Sequence, residues 1–370
     1  MRLALALVLW LPLAGLANTC DWPLWQHFKR DYLVDGRVID DSDARLITTS
    51  EGQSYGMFFA LVANDKAAFA DMLDWTEQHL AEGDLTGQLP AWLWGRDGQG
   101  QWRILDANSA SDADVWIAYS LAEAGRLWGN HRYASLGYLL ARRIIAEETV
   151  IDSKGRRHLL PGVTGFRQGD DRFRLNPSYL ALQLFDALAS HYPVQPWSEL
   201  GAGGLHVLRG AARGGLLPDW LVLEKGAVVA GAGDNTGSYD AIRTYLWTGM
   251  LDSQHPARAE LLASQGGMVA ALKSGRSAPP EHVNVATGAV KGNGPFGFSA
   301  ALLPMLAVLE QPALLNSQHQ RALQGAAAAG GGGAYYNQML SLFGLGWLDK
   351  QYRFDRQGRL LPAWEASECG

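Results

Sequence analysis

The chain has 370 residues, 48% hydrophobic and 18% charged, enough for one large domain or two ordinary ones. A formal charge of −6, a pI near 5.8 and the lack of any block of like charges argue against a nucleic-acid or anionic-membrane partner. Fourteen Trp and twelve Tyr point elsewhere, because flat amphipathic rings suit both packing and the faces of sugars.

The chain opens on "MRLALALVLWLPLAGLA" (1–17), with one positive charge, a short apolar stretch and small residues at Gly15 and Ala17. This is the pattern of a secretory signal peptide. It predicts a periplasmic or secreted chain of residues 18–370, forming one catalytic domain with no membrane insertion of its own. Export gives the two cysteines a meaning: Cys20 and Cys369 stand near the two ends of the mature chain, and an oxidising compartment would let them pair. Two thiols with no His pair at ligand spacing do not make a metal site, and nothing calls for a cofactor.

Beyond the leader, helical patterns of two kinds alternate. Six segments share one plan, a loop of Gly, Ser, Asn or Asp followed by a polar or aromatic residue and a largely apolar helix. They begin at Ser50 ("SEGQSYGMFFALVA"), Ser109 ("SASDADVWIAYSLAEA"), Leu175 ("LNPSYLALQLFDAL"), Thr236 ("TGSYDAIRTYLWTGML"), Gly294 and Gly333. Apolar around most of their circumference, these helices are built for burial. Between them run amphipathic segments with one apolar stripe, such as "AAFADMLDWTEQHL", "RYASLGYLLARRIIAEE" and "ARAELLASQGGMVAALK", with "WPLWQHFKRDYL" ahead of the first. Strand signals are short, and "LVLEKGAVVAG" (221–231) reads as a hairpin. Six buried helices alternating with six half-buried ones predict a toroid of helical hairpins, an (α/α)6 barrel in outline. Every inner helix then runs the same way, and all six polar mouths meet at one end.

That common end collects Glu51, Asp112, Asp114, Asn176, Tyr239, Asp240, Arg243 and the pair Tyr335 and Tyr336. Each also has a local reading. Ser50 and Gln53 fit a capping box around Glu51, Asp112 and Asp114 fit first-turn acids, and Asp240 fits an N-cap beside a salt bridge to Arg243. Asn176-Pro177 reads as the start of the third inner helix. Carboxylates converging without His or Cys are what acid–base cleavage of an acetal requires. One must arrive protonated and one ionised. The helix dipole favours an ionised Glu51, so Glu51 is expected to be buried near another carboxyl. In "LPAWLWG" the spacing of Trp92 and Trp94 would aim both rings to one side of an extended segment, and Trp102 follows in "GQWRILDANSAS". A row of indoles implies a chain of sugars rather than one.

The motifs "TTSEGQSYGM", "LPAWLWG", "NSASDADVWIA", "NPSYL" and "SYDAIR", in this order, resemble glycoside hydrolase family eight, in the branch that accompanies bacterial cellulose synthase. The resemblance runs from Cys20 to the closing "LLPAWEASEC". It implies an (α/α)6 barrel and endo-hydrolysis of β-1,4-glucan with inversion. By motif, Glu51 would be the acid and Asp240 the base. Asp112 would hold the sugar at the cleavage subsite, with Asp114 as the other candidate for that place. Tyr239 and Arg243 would flank the base, and Trp92, Trp94, Trp102, Asn176 and Tyr335 would contact the chain. It further implies a monomer that trims or releases glucan beside a cellulose synthase export complex. Three rivals stand: the same chemistry on xylan, chitosan or mixed-linkage glucan, a polysaccharide lyase, and a non-catalytic glucan-binding subunit of an export machine.

The cysteine reading is tested directly. The unreduced, denatured protein is expected to show no titratable thiol, and finding two would refute a Cys20–Cys369 pair.

Overall fold

The computed structural model describes residues 22–229, 235–328 and 334–366. Cys20, Cys369 and the leader lie outside the described residues. In chain order the helices are α1 (Pro23–Tyr32), α2 (Ser50–Val62), α3 (Lys66–Leu80), α4 (Ser111–Trp128) and α5 (His131–Glu147). Then follow α6 (Leu182–His191), α7 (Trp197–Ala211), α8 (Ala241–Met250), α9 (Arg258–Ser264) and α10 (Gly267–Lys273). Last come α11 (Phe296–Val308), α12 (Pro312–Ala328), α13 (Tyr335–Leu348) and the short α14 (Ala363–Ala366).

Helices α2, α4, α6, α8, α11 and α13 make the inner ring of an (α/α)6 barrel, and the other helices from α1 to α12 pack outside it. The inner helices are buried on nearly every side, as their unbroken apolar runs require. Their rings fill the barrel axis. Phe343 on α13 meets Phe59 at 4.6 Å and Tyr55 at 5.0 Å on α2, and also Trp116 at 5.3 Å on α4 and Trp247 at 5.0 Å on α8. Neighbouring inner helices come close enough for small residues to matter. A Cβ on Gly344 would lie 1.9 Å from the Ala300 carbonyl oxygen, and one on Gly249 would lie 2.5 Å from the Met305 nitrogen.

The hairpins are closed by local chemistry. Asn64, in the left-handed region at φ 54°, ends the turn after α2, and the Asp65 carboxylate then caps α3 by accepting from the Ala68 N–H at 3.1 Å. The far end of the barrel is plugged by an antiparallel hairpin, Tyr352–Phe354 with Leu360–Pro362. Phe354 stacks on Phe58 at 6.2 Å, the Tyr119 hydroxyl donates to the Gly358 carbonyl at 3.0 Å, and buried Glu123 accepts from the Leu360 N–H at 2.9 Å. Glu123 also accepts from Arg126 and His191, which together hold its carboxyl below the usual range against the penalty of burial.

Some local expectations are corrected. Helix α2 is capped by Thr49, whose hydroxyl accepts from the Gly52 N–H at 3.0 Å, and not by Ser50. Gln53 does not complete a capping box. It is buried, accepting from the Val38 N–H at 2.6 Å and donating to the Gly36 carbonyl at 3.0 Å, because the chain ahead of α2 folds back across it. Asn176-Pro177 opens a single 3-10 turn, Pro177–Tyr179, and α6 starts only at Leu182. The segment from Arg258 to Lys273 breaks into two short helices at Gln265 and Gly266. The hairpin expected near 221–231 is present as Leu221–Glu224 with Ala227–Val229, but it extends into a four-stranded sheet with Arg172–Leu175 and Arg167–Gly169.

Phe343 meets rings on three other inner helices, α2, α4 and α8. Phe343→Ala is expected to cost about 3–5 kcal/mol of folding stability. Urea unfolding should show a lower midpoint with an unchanged slope.

Candidate active site

At the mouth of the barrel a cavity of about 480 Å³ is lined by Glu51, Trp92, Asp112, Tyr179, Tyr239, Asp240, Arg243 and Tyr336, among others. Trp92 comes from the loop ahead of the strand Leu93–Arg96, and the others come from the starts of α2, α4, α8 and α13 and from the 3-10 turn ahead of α6. The shared direction of the inner helices is what brings them together.

The acids at these mouths are not spent on capping. Thr49 caps α2 and leaves Glu51 free. Asp240 stands at the N-cap position of α8 without capping it. Asp219 does that work instead, accepting from the Ser238 N–H at 2.7 Å and the Ala241 N–H at 2.8 Å. Helix α4 has no side-chain cap, and both carboxylate oxygens of Asp112 are buried without a hydrogen-bond donor. A buried acceptor left without a donor is costly unless a ligand supplies one.

Arg243 organises the cluster. Its guanidinium is 3% exposed and donates through one terminal nitrogen to Glu51 and through the other to Asp240 at 2.9 Å and the Ser178 hydroxyl at 3.1 Å. Asp112 lies 3.9 Å from the same nitrogen. Ser178 is itself placed by Asn176, whose side-chain oxygen accepts from the Ser178 hydroxyl at 2.8 Å. The Asn176 amide also favours an ionised Asp240, though it closes no bond of ordinary geometry with it.

Electrostatics separate the three acids. Burial, reinforced by the Glu51 carboxylate, pushes Asp112 well above the usual range, with Arg243 opposing. Asp240 is raised in the same way, burial first, with Arg243 pulling back and Glu51 adding to the rise. Glu51 is half-buried, its side chain 22% exposed, and shares Arg243 with the two aspartates. One cation among three carboxyls sustains their ionised forms only in part, so a proton within the cluster is favoured.

Trp92 lines the cavity, and its carbonyl accepts from the Ser50 N–H at 3.0 Å. A register shift between Leu93 and Trp94 breaks the alternation that would aim both indoles the same way. Trp94 stacks on Trp102 at 4.9 Å, and the Arg37 guanidinium sits 4.5 Å from each of these two ring centroids. Asp114 is buried below the mouth, where burial first and the Glu148 carboxyl next raise it well above the usual range. Tyr335 is buried against Phe28 and Tyr32, its hydroxyl pressed on Gly52. Its neighbour Tyr336 faces the cavity and donates to the Tyr239 carbonyl at 2.5 Å. In the sequence Tyr336 stands only as a helix opener, and nothing there marks Tyr179. Successive helical residues point about 100° apart, so one of two adjacent tyrosines had to face inward, but spacing alone does not say which.

A helical toroid whose mouth gathers carboxylates and aromatic rings around one arginine defines a glycoside hydrolase. Residues 3–350 match the profile of "Glycosyl hydrolases family 8", and the chain belongs to that family. It is 46% identical over 374 residues to an endoglucanase of Escherichia coli O157:H7, covering all of this chain and 98% of the relative. An endoglucanase of Xanthomonas axonopodis pv. citri (strain 306) is 46% identical over 364 residues, covering 97% of this chain and 94% of the relative. Among solved structures, the endo-1,4-D-glucanase from Vibrio fischeri ES114 superposes with a TM-score of 0.89 at 45% identity, over 93% of this chain and 100% of that one.

Lysine cannot bridge two carboxylates as the guanidinium does. Arg243→Lys is therefore expected to lower kcat by about 10²-fold through misplacement of the acids. Steady-state kinetics beside a circular dichroism spectrum will separate this from unfolding.

Proposed function

We propose that the chain is an endo-1,4-β-glucanase that hydrolyses β-1,4-glucan with inversion. The observation that carries this reading is the seating of Glu51 and Asp240 on the two terminal nitrogens of one guanidinium, beside the donor-starved carboxylate of Asp112. Two hydrogen-bond lengths and the width of a guanidinium hold the acid and base carboxyls within about 8 Å. Inversion, which seats a water between carboxyls about 6.5–9.5 Å apart, is taken from the resemblance to the family.

In this mechanism Glu51 delivers a proton to the departing glycosidic oxygen, so that it leaves as a hydroxyl. Asp240 takes a proton from the water that attacks the anomeric carbon from the opposite face. Asp112 accepts a hydrogen bond from a hydroxyl of the sugar at the cleavage point, and that bond relieves the cost of its buried oxygens. Trp92, Tyr179, Tyr239 and Tyr336 offer ring faces and edges to neighbouring sugars.

The wider setting belongs to the same proposal. The leader sends residues 18–370 to the periplasm or beyond. There they act as one catalytic unit and a monomer, trimming or releasing glucan beside a cellulose synthase export complex. The resemblance to the branch that accompanies cellulose synthase supports this role. No helix among the described residues is long and apolar enough to cross a membrane.

Anomeric proton NMR during early hydrolysis of cello-oligosaccharides tests the reaction. The wild type is expected to release the α-anomer first, and Glu51→Gln to lose about 10²–10⁴-fold in rate, the usual contribution of a general acid. Initial β-anomer would refute the role given to Asp240. No cleavage by the wild type would move the reading to another polymer or to a binding subunit.

A further inference from the structure

Helix α8 opens on a cap that it does not supply itself. An ordinary N-cap side chain sits at the helix start and accepts from an N–H two or three residues on. Here that place belongs to Asp240, whose carboxylate caps nothing. The capping oxygen is Asp219 Oδ1, from the loop ahead of the strand Leu221–Glu224, and it accepts from two N–H groups at once. The Ser238 N–H lies at 2.7 Å and the Ala241 N–H at 2.8 Å, one on each side of Tyr239-Asp240. Asp219 Oδ2 accepts from the Ser238 hydroxyl at 2.6 Å. Asp219 is 8% exposed and does not itself line the cavity, as Tyr239 and Asp240 do.

The loop that carries Asp219 is fastened to the same stretch of chain. Its Leu217 N–H donates to the Tyr245 hydroxyl on α8 at 2.9 Å, and its Asp219 N–H donates to the Thr236 carbonyl at 2.8 Å. Gly237 packs so closely on this loop that a Cβ there would lie 2.0 Å from the Leu217 carbonyl oxygen. Between these points the Tyr336 hydroxyl donates to the Tyr239 carbonyl at 2.5 Å, and the Tyr239 hydroxyl donates to Glu281 at 2.8 Å. The backbone from Thr236 to Ala241 is thus fixed at both ends and in the middle. The Asp240 carboxylate is held at 2.9 Å by an Arg243 nitrogen that also serves Ser178. A carboxylate gripped at one oxygen takes the rest of its aim from its own backbone.

We propose that Asp219 is a positioning residue for the base, gripping the chain on both sides of Asp240 and so setting the line along which its carboxylate meets the attacking water. The inference rests on the glucanase reading of the site, which it deepens. The bracket lets Asp240 stand at the start of α8 without being drawn onto the helix's own N–H groups, as a capping aspartate would be. It also fixes direction. A displacement of about 1 Å, caused by a change remote from the reacting atoms, can cost about 10²-fold in rate. Glu51 stands on α2 under a separate cap, Thr49, so loss of the bracket displaces the base and leaves the acid in place.

The test is steady-state kinetics on cellopentaose and on a dinitrophenyl β-cellotrioside, whose leaving group departs without a proton from the acid. Asp219→Ala is expected to lower kcat on cellopentaose about 10²-fold, with KM changed less than about threefold. Asp219→Asn keeps an oxygen for both N–H groups and offers its amide to the Ser238 hydroxyl, so its kcat should stay within about fivefold of wild type. On the activated glycoside Glu51→Gln should recover most of its rate, whereas the deficit of Asp219→Ala should persist to within about threefold. Asp219→Ser, too short to reach both N–H groups, takes the place of Asp219→Ala should that variant fail to fold, and is expected to behave likewise. An unchanged kcat in Asp219→Ala, an Asp219→Asn as slow as Asp219→Ala, or a deficit that disappears on the activated glycoside overturns the proposal alone. A wild type that cleaves neither substrate overturns the glucanase reading and this inference with it.

Discussion

Arg243 is buried where three carboxylates meet, and its charge is the condition for their meeting. Helix N-termini favour nearby anions, but each such contact is worth only about 0.3–1 kcal/mol at an exposed site. Withdrawing a carboxylate from water costs several kcal/mol even after the surroundings relax. Three helix starts therefore cannot hold Glu51, Asp112 and Asp240 together by their dipoles alone. A fixed cation among them can, and a guanidinium does so with two nitrogens aimed at two different acids.

The barrel makes room for that arrangement by dividing labour between its ends. At the far end, the Tyr352–Phe354 hairpin and Glu123 close the axis with hydrogen bonds made within the chain. At the mouth, satisfaction is left incomplete. Asp112 has no donor, while Thr49 and Asp219 cap the helices in place of Glu51 and Asp240. The substitute caps are what separate these acids from ordinary first-turn carboxylates.

The hairpin count, the inner and outer rings and the convergence of Glu51, Asp112, Asp240 and Arg243 were legible because they follow from periodicity. Apolar helices need burial, and hairpins of like direction put their starts together. What failed to show was decided by contacts far apart in sequence. Ser50 and Gln53 satisfied the local pattern of a capping box, yet Gln53 was drawn off to the backbone of Gly36 and Val38. Trp94 lost the alternation it would share with Trp92 through a single irregularity in strand register. Tyr335 and Tyr336 look alike in the sequence, and only the packing of Phe28 and Tyr32 against Tyr335 leaves Tyr336 for the cavity.

The carboxyls of the first turn of α4 show how far one short motif is used. In "SDAD" the two aspartates stand two residues apart, about 200° around the helix, so they cannot serve the same surface. Asp112 turns to the mouth, beside a cation and without a donor. Asp114 turns inward, beside Glu148 and without a cation. Burial raises both, yet only one has a charge to oppose it. The same desolvation acts on Asp112 beside Arg243 and on Asp114 beside another acid. One short motif thus puts one carboxyl at the mouth of the barrel and another beneath it.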